Sequence, residues 1–133
     1  MTSIPPKFST ARDVDLTEIS TGDRNTFLRP GLDTVADAAT VTFDLSQPEK
    51  IYTVELGDNR TLAVSNTAVG DRFLIRLLQD DTGSRTVTWW STITWPGGSA
   101  PTLTTTANKA DWFEFVCTAA DTYECILQTQ DVG

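Results

Sequence analysis

From Ala39 onward, apolar and polar residues alternate in short stretches separated by turn formers. That pattern admits little besides a β-protein, because alternate side chains of a strand point to opposite faces. Thr40-Val41-Thr42-Phe43-Asp44-Leu45 places Val41, Phe43 and Leu45 on one face. Ile51-Tyr52-Thr53-Val54-Glu55-Leu56 is rich in β-branched and aromatic residues, as strands are. Arg60-Thr61-Leu62-Ala63-Val64 and Arg72-Phe73-Leu74-Ile75-Arg76-Leu77-Leu78 continue the series, the latter apolar enough for a central strand. Arg85-Thr86-Val87-Thr88-Trp89 alternates again, and the Thr-rich stretch 101–108 reads as a short strand or extended edge. Two last runs, 111–117 and 123–127, form a hairpin across 118–122. Gly, Pro, Asn and Asp punctuate every gap, at Gly57-Asp58-Asn59, Asp80-Asp81-Thr82-Gly83 and Pro96-Gly97-Gly98. About eight short strands at regular spacing predict an all-β domain, an antiparallel β-sandwich or jelly-roll-like fold over residues 40–133.

Residues 1–39 read differently. Apolar residues come singly, among them Phe8, Leu16, Ile19, Phe27 and Leu28, and no strand or helix period is sustained, a single helical turn at 32–39 excepted. Such composition suits a disordered tail or an extended N-terminal arm that orders against a partner. We expect the arm, with those five residues anchoring in successive pockets of the partner.

The 133 residues suit one domain of ordinary size. A net charge of −8 repels phosphate, so we expect no nucleic-acid partner and no anionic membrane surface. No apolar run reaches the roughly 20 residues that span a bilayer. Residues 1–6 carry neither a basic nor an apolar leader pattern, so we expect the chain to be made in a cytoplasm, where thiols stay reduced. Cys117 and Cys125 are then buried free thiols, although a bridge forms if the hairpin turn sets them opposite one another.

The sequence has no histidine, which excludes Ser-His-Asp and Cys-His nucleophilic catalysis. Paired carboxylates alone serve glycosidases, but with 18 acidic residues some close pair is expected by chance. We expect no enzyme and no cofactor. Asp80-Asp81 and Asp13-Val14-Asp15 lack EF-hand spacing and read as solvated turn carboxylates rather than metal ligands. Asn59-Arg60-Thr61 fits a glycosylation sequon, which a chain made in bacteria would rarely use. Trp90, Trp95 and Trp112, with Trp89, fit either core packing, a subunit interface or a sugar-binding platform. If Trp89 and Trp90 share a strand, they face opposite ways and one of them is exposed or at an interface.

Certain segments follow one another in a set order and spacing: Glu55-Leu56-Gly57-Asp58-Asn59-Arg60-Thr61-Leu62, Gly70-Asp71-Arg72-Phe73, Gln79-Asp80-Asp81-Thr82-Gly83-Ser84-Arg85-Thr86-Val87-Thr88-Trp89 and Ile93-Thr94-Trp95-Pro96-Gly97-Gly98-Ser99-Ala100-Pro101-Thr102-Leu103. The Thr-rich stretch ending at Asp111 closes the series. Together, over about residues 40–128, they resemble a β-rich module of tailed-bacteriophage virion structural proteins, especially tail fibres and other virion-surface proteins. The resemblance implies a virion structural role and brings no catalytic residues. It implies positive φ at Gly57 and Gly83, a corner at Trp95-Pro96-Gly97-Gly98 whose indole closes the core, and ion pairs from Arg60 and Arg85 to Asp58 or Asp81. One module behind a short arm, without repetitive shaft or heptads, points to a capsid decoration or cement protein. Its expected partners are the major capsid protein and further copies of itself, as a trimer or dimer on the capsid surface. The alternative is a tail-fibre or baseplate receptor-binding domain that touches host glycan through its exposed tryptophans.

Overall fold

Nine strands form among the residues described by this computed structural model, 31–133. They are β1 (Leu32–Thr34), β2 (Thr40–Asp44), β3 (Ile51–Leu56), β4 (Arg60–Ser65), β5 (Arg72–Gln79), β6 (Val87–Thr88), β7 (Ile93–Thr94), β8 (Ala110–Ala119) and β9 (Thr122–Val132). The larger sheet runs β1-β3-β5-β8-β9-β7 and the smaller β2-β4-β6. Consecutive strands from β1 to β6 therefore alternate between the sheets, and the chain winds as a coil. Within each sheet the coil strands pair in parallel, Leu32 with Ile51 and Ile51 with Leu74 in one, Thr40 with Thr61 and Arg60 with Val87 in the other. Successive turns are offset by 19 residues (Leu32 to Ile51) up to 27 (Arg60 to Val87), within the range of short solenoid repeats.

The coil ends against an antiparallel hairpin. β8 pairs with β5, Phe73 opposite Phe115, and β9 pairs with β8. β7 adds to β9 in parallel at Ile93–Tyr123. The all-β expectation thus matches the architecture, but antiparallel pairing holds only for β5–β8 and β8–β9; the other five pairings are parallel. The physical reason is that a connection from one sheet to the other and back returns the chain in its original direction, whereas a tight hairpin reverses it. A jelly roll, assembled from antiparallel neighbours, does not describe the coil.

One core lies between the sheets. Val41, Phe43 and Leu62 from the smaller sheet meet Tyr52, Val54, Leu56, Phe73, Ile75, Phe113 and Phe115 from the larger, all 0–1% exposed. Phe43 meets Tyr52 edge to face at 5.5 Å between centroids. The buried Tyr52 hydroxyl donates to the carbonyl of Asp44 or Glu49, each 3.0 Å away, and burial pushes its pKa up to about 12.

Several local expectations change. Residues 32–34 form β1 instead of a helical turn, and the β-unit begins at Gly31 rather than at residue 40. Residues 101–105 belong to no strand; Leu103 is instead plugged into the core. Cys117 lies opposite Tyr123 and Cys125 opposite Phe115, so the cysteines are offset, buried and free. Phe8, Leu16, Ile19, Phe27 and Leu28, and with them most of the expected arm, lie outside the described residues.

Candidate interaction surfaces

Polar residues of the segments that carry the resemblance pin the coil, Gln79 and Asp111 from inside and the others at its turns. Gln79 is 2% exposed and satisfied on both ends of its amide: Nε2 donates to the carbonyls of Arg85 (2.9 Å) and Thr104 (2.8 Å), and Oε1 accepts from the Arg85 N–H (2.8 Å). Asp80 caps the turn that follows, accepting from Thr82 and Gly83 N–H groups at 3.1 and 2.9 Å and pairing with Arg85 Nη2 at 2.8 Å. The Arg85 guanidinium, with the Gly83 amide, holds the Asp80 carboxyl down at about 2. Asn59 Oδ1 accepts from Thr86 N–H at 2.9 Å and ties one coil turn to the next. Asp111, 1% exposed, accepts from Thr104 N–H (2.7 Å), Asp131 N–H (3.0 Å) and Gln130 Nε2 (3.1 Å). These groups are engaged by the chain itself, and their arrangement specifies turns.

The arginine partners and one glycine differ from expectation. Arg60 grips Asp37 in two-point fashion, Nε to Oδ1 at 2.8 Å and Nη2 to Oδ2 at 2.7 Å, and Arg85 pairs with Asp80; neither uses Asp58 or Asp81. Gly83 has φ +75°, and a Cβ there would lie 2.6 Å from the Thr105 carbonyl. Gly57 is needed for space, since its Cβ would lie 2.7 Å from Asp37 Oδ2, the atom that accepts its own N–H at 3.2 Å.

Three of the four tryptophans gather at one end of the core. Trp89 touches Trp95 and Phe113, both at 4.9 Å, and Trp90 touches Phe115 at 5.0 Å. Trp89 and Trp90 also meet each other at 5.7 Å. The condition for their facing opposite ways, a shared strand, is not met, because β6 stops at Thr88 and beyond it strand alternation no longer applies. Trp95 precedes a single 3₁₀ turn, Pro96–Gly98, closed by Gly98 N–H to Trp95 O at 2.9 Å, and its indole lies partly buried against the core. Trp90 and Trp95 are thereby brought into one cluster through Trp89 and Phe115, while Trp112 lies elsewhere.

Trp112 is on the outer face of the larger sheet, cross-strand from Arg76 and Thr129. By alternation this face also carries Leu32, Ile51, Leu74, Glu114 and Leu127, which register in one row across five strands. Leu32 is 57% exposed and Leu127 46%. The bulge between Cys125 and Leu127 exposes Ile126 as well, at 47%. Glu114 sits within the row, neutralised by Arg72. Arg76 donates to Thr53 Oγ1 at 3.0 Å. Sequence reading placed Trp112 among the aromatic candidates but gave no weight to the row, because its members sit on strands distant in sequence.

At the aromatic end a second feature opens, a cavity of about 370 Å³ between the end of β4, the segment after β6 and the β8–β9 turn. Its walls include Trp90 and Tyr123, and its rim Asn66, Thr67, Thr92 and Asp121.

No family model, curated protein or solved structure matches this chain.

Proposed function

We propose that this chain is a non-catalytic structural protein of a bacteriophage virion, a decoration or cement protein that binds the major capsid protein and strengthens its lattice. The finer fold we propose is a two-sheet sandwich in the broad sense. In this reading the outer face of the larger sheet is where copies of the chain pack together. The observation that carries it is the apolar row Leu32, Ile51, Leu74 and Leu127 across that face, flanked by Trp112. A solvated sheet face is ordinarily polar at such positions, and contiguous exposed apolar surface marks association.

A second copy is the occupant that fits the charges. The chain as a whole repels itself at −8, yet on this face Arg72 offsets Glu114, and Arg76 and Glu55 remain as opposite charges that two such faces can align.

The test is to count copies of this chain per purified virion by quantitative mass spectrometry against the major capsid protein. Hundreds of copies are expected for a shell protein. A few dozen or fewer would move the chain to the tail and overturn the cement reading, and absence from virions would overturn the structural reading altogether.

A further inference from the structure

Non-glycine residues with positive φ are uncommon, and a β-branched one is an outlier that its surroundings must hold in place. Three of them meet at the cavity beside Trp90: Asn66 (φ 55°), Thr92 (φ 64°) and Asp121 (φ 53°). They are locked together by the chain. Tyr123 N–H donates to the Thr92 carbonyl at 2.9 Å, and the Thr92 hydroxyl bonds the carbonyls of Asp121 and Ser91, the latter at 2.8 Å. The Tyr123 hydroxyl bonds Thr67 Oγ1 at 2.9 Å, which ties the turn of the hairpin to the end of β4. A cavity whose rim is fixed before any ligand arrives loses little entropy when one binds.

The chemistry of the lining narrows the ligand. Trp90 supplies the aromatic surface and is braced edge to face at 5.8 Å by Tyr123, whose ring is buried in the core. The rim supplies the Ser91 hydroxyl, which donates and accepts, the Asp121 carboxylate, which accepts, and the acceptor side of the Asn66 amide, whose Nδ2 already donates to Asp44 at 2.9 Å. Among the described residues no Lys or Arg lines the cavity, and the sequence has no His, so this lining offers nothing to a phosphate or to an acidic sugar. At about 370 Å³ it lies near the low end of small-molecule sites, which run from about 300 to 1,000 Å³. A ligand of one or two rings, with one C–H face and a girdle of hydroxyls, meets all of these conditions.

We propose that the cavity bounded by Asn66, Thr67, Trp90, Thr92, Asp121 and Tyr123 is a binding site for a neutral saccharide, held by its apolar face on the Trp90 indole and by its hydroxyls on the polar rim. The site is separate from the outer sheet face and does not depend on where in a virion the chain sits. A free sugar and the end of a longer glycan present the same chemistry to it, so both belong in the test.

The full chain, labelled with ¹⁵N, is titrated with glucose, galactose, N-acetylglucosamine, N-acetylgalactosamine and a β-linked disaccharide of N-acetylglucosamine, with N-acetylneuraminic acid as the acidic control. The four indole N–H signals report separately on each tryptophan. At least one neutral sugar is expected to shift the Trp90 indole and the Thr92 and Asp121 amides with saturation at millimolar concentration, and to leave the Trp112 indole in place. A larger gain with the disaccharide identifies the end of a longer glycan as the source, and equal affinity identifies the free sugar. Asp121→Gly keeps a residue at ease with φ 53° and removes the carboxylate; it is expected to weaken binding at least tenfold without lowering the melting temperature. Should that variant fail to fold, Asp121→Asn removes the charge alone and is expected to weaken binding severalfold. No saturable shift with any neutral sugar, shifts confined to Trp112, tighter binding of the acidic sugar, or unchanged affinity in the folded Asp121 variant would each overturn the proposal.

Discussion

The coil of β1 to β6 and the hairpin of β8 and β9 are written in the same alternating code, yet they are held in different ways. The hairpin closes locally, and its inward residues Phe113 and Phe115 stack within the aromatic cluster. The coil pairs strands that are far apart in sequence, and it relies on polar clamps at each turn: Asp37 with Arg60, Asn59 with Thr86, Gln79 with Arg85 and Thr104, Asp80 with Arg85. Alternation tells which residues face inward. It does not tell which strand lies alongside, and that information is carried by these polar clamps, of which Gln79 alone is fully buried and must have all its partners satisfied.

The comparison makes predictions of decreasing size. Phe115 is fully buried and touches Phe73, Trp89, Trp90 and Trp95, so Phe115→Ala should cost about 3–5 kcal/mol in urea melts. A loss below about 1 kcal/mol would mean the hairpin is not anchored by its aromatics. In the coil, Gln79→Ala leaves two carbonyls and one N–H of the turn without their partners and should cost about 1–3 kcal/mol by the same assay. Gly83→Ala forces a Cβ against backbone at φ +75° and should cost about 1–3 kcal/mol. Gly57→Ala should cost less, because the atom it meets is the movable tip of Asp37.

Acid separates the two regions most gently. Asp44 sits at about 2 through bonds from Asn66 and Ser46, Asp80 at about 2 through Arg85 and Gly83, and Asp37 is lowered by Arg60. All three brace the coil. A carboxyl depressed in the folded chain contributes its stability fully above the unfolded value of 3.8, and that contribution is lost as pH falls through about 2. Amide exchange measured from pH 5 downward should therefore show the coil strands losing protection before β8 and β9. Loss of protection in both regions together would contradict the division.

Most strands were legible in the sequence, since Val41 and Phe43, Tyr52 and Val54, and Phe73 and Ile75 alternate cleanly. β1 and β7 were missed because three and two residues are too few for a period to show. The parallel coil was missed for a deeper reason: antiparallel and parallel strands alternate identically when one face is buried. A signal was present in the recurrence of Thr40-Val41-Thr42 and Thr61-Leu62-Ala63, whose leading threonines register with each other and with Thr88 as an outward stack. Of the surfaces, the tryptophans were visible by type, but the grouping of Trp90 with Asn66, Thr92 and Asp121 was not. It depends on positive φ at three separate turns, and Thr92 is a residue that sequence statistics would never place there.

The outer row of the larger sheet carries the functional account, and its most direct test is sedimentation equilibrium on the wild-type chain and on Leu127→Lys. Leu127 is 46% exposed, so the lysine can be accommodated without disturbing the core, and circular dichroism should show the same fold. The account predicts a wild-type dimer or trimer at micromolar concentration and a monomeric Leu127→Lys. A wild-type chain that stays monomeric at every concentration, or a variant that assembles as the wild type does, would contradict it.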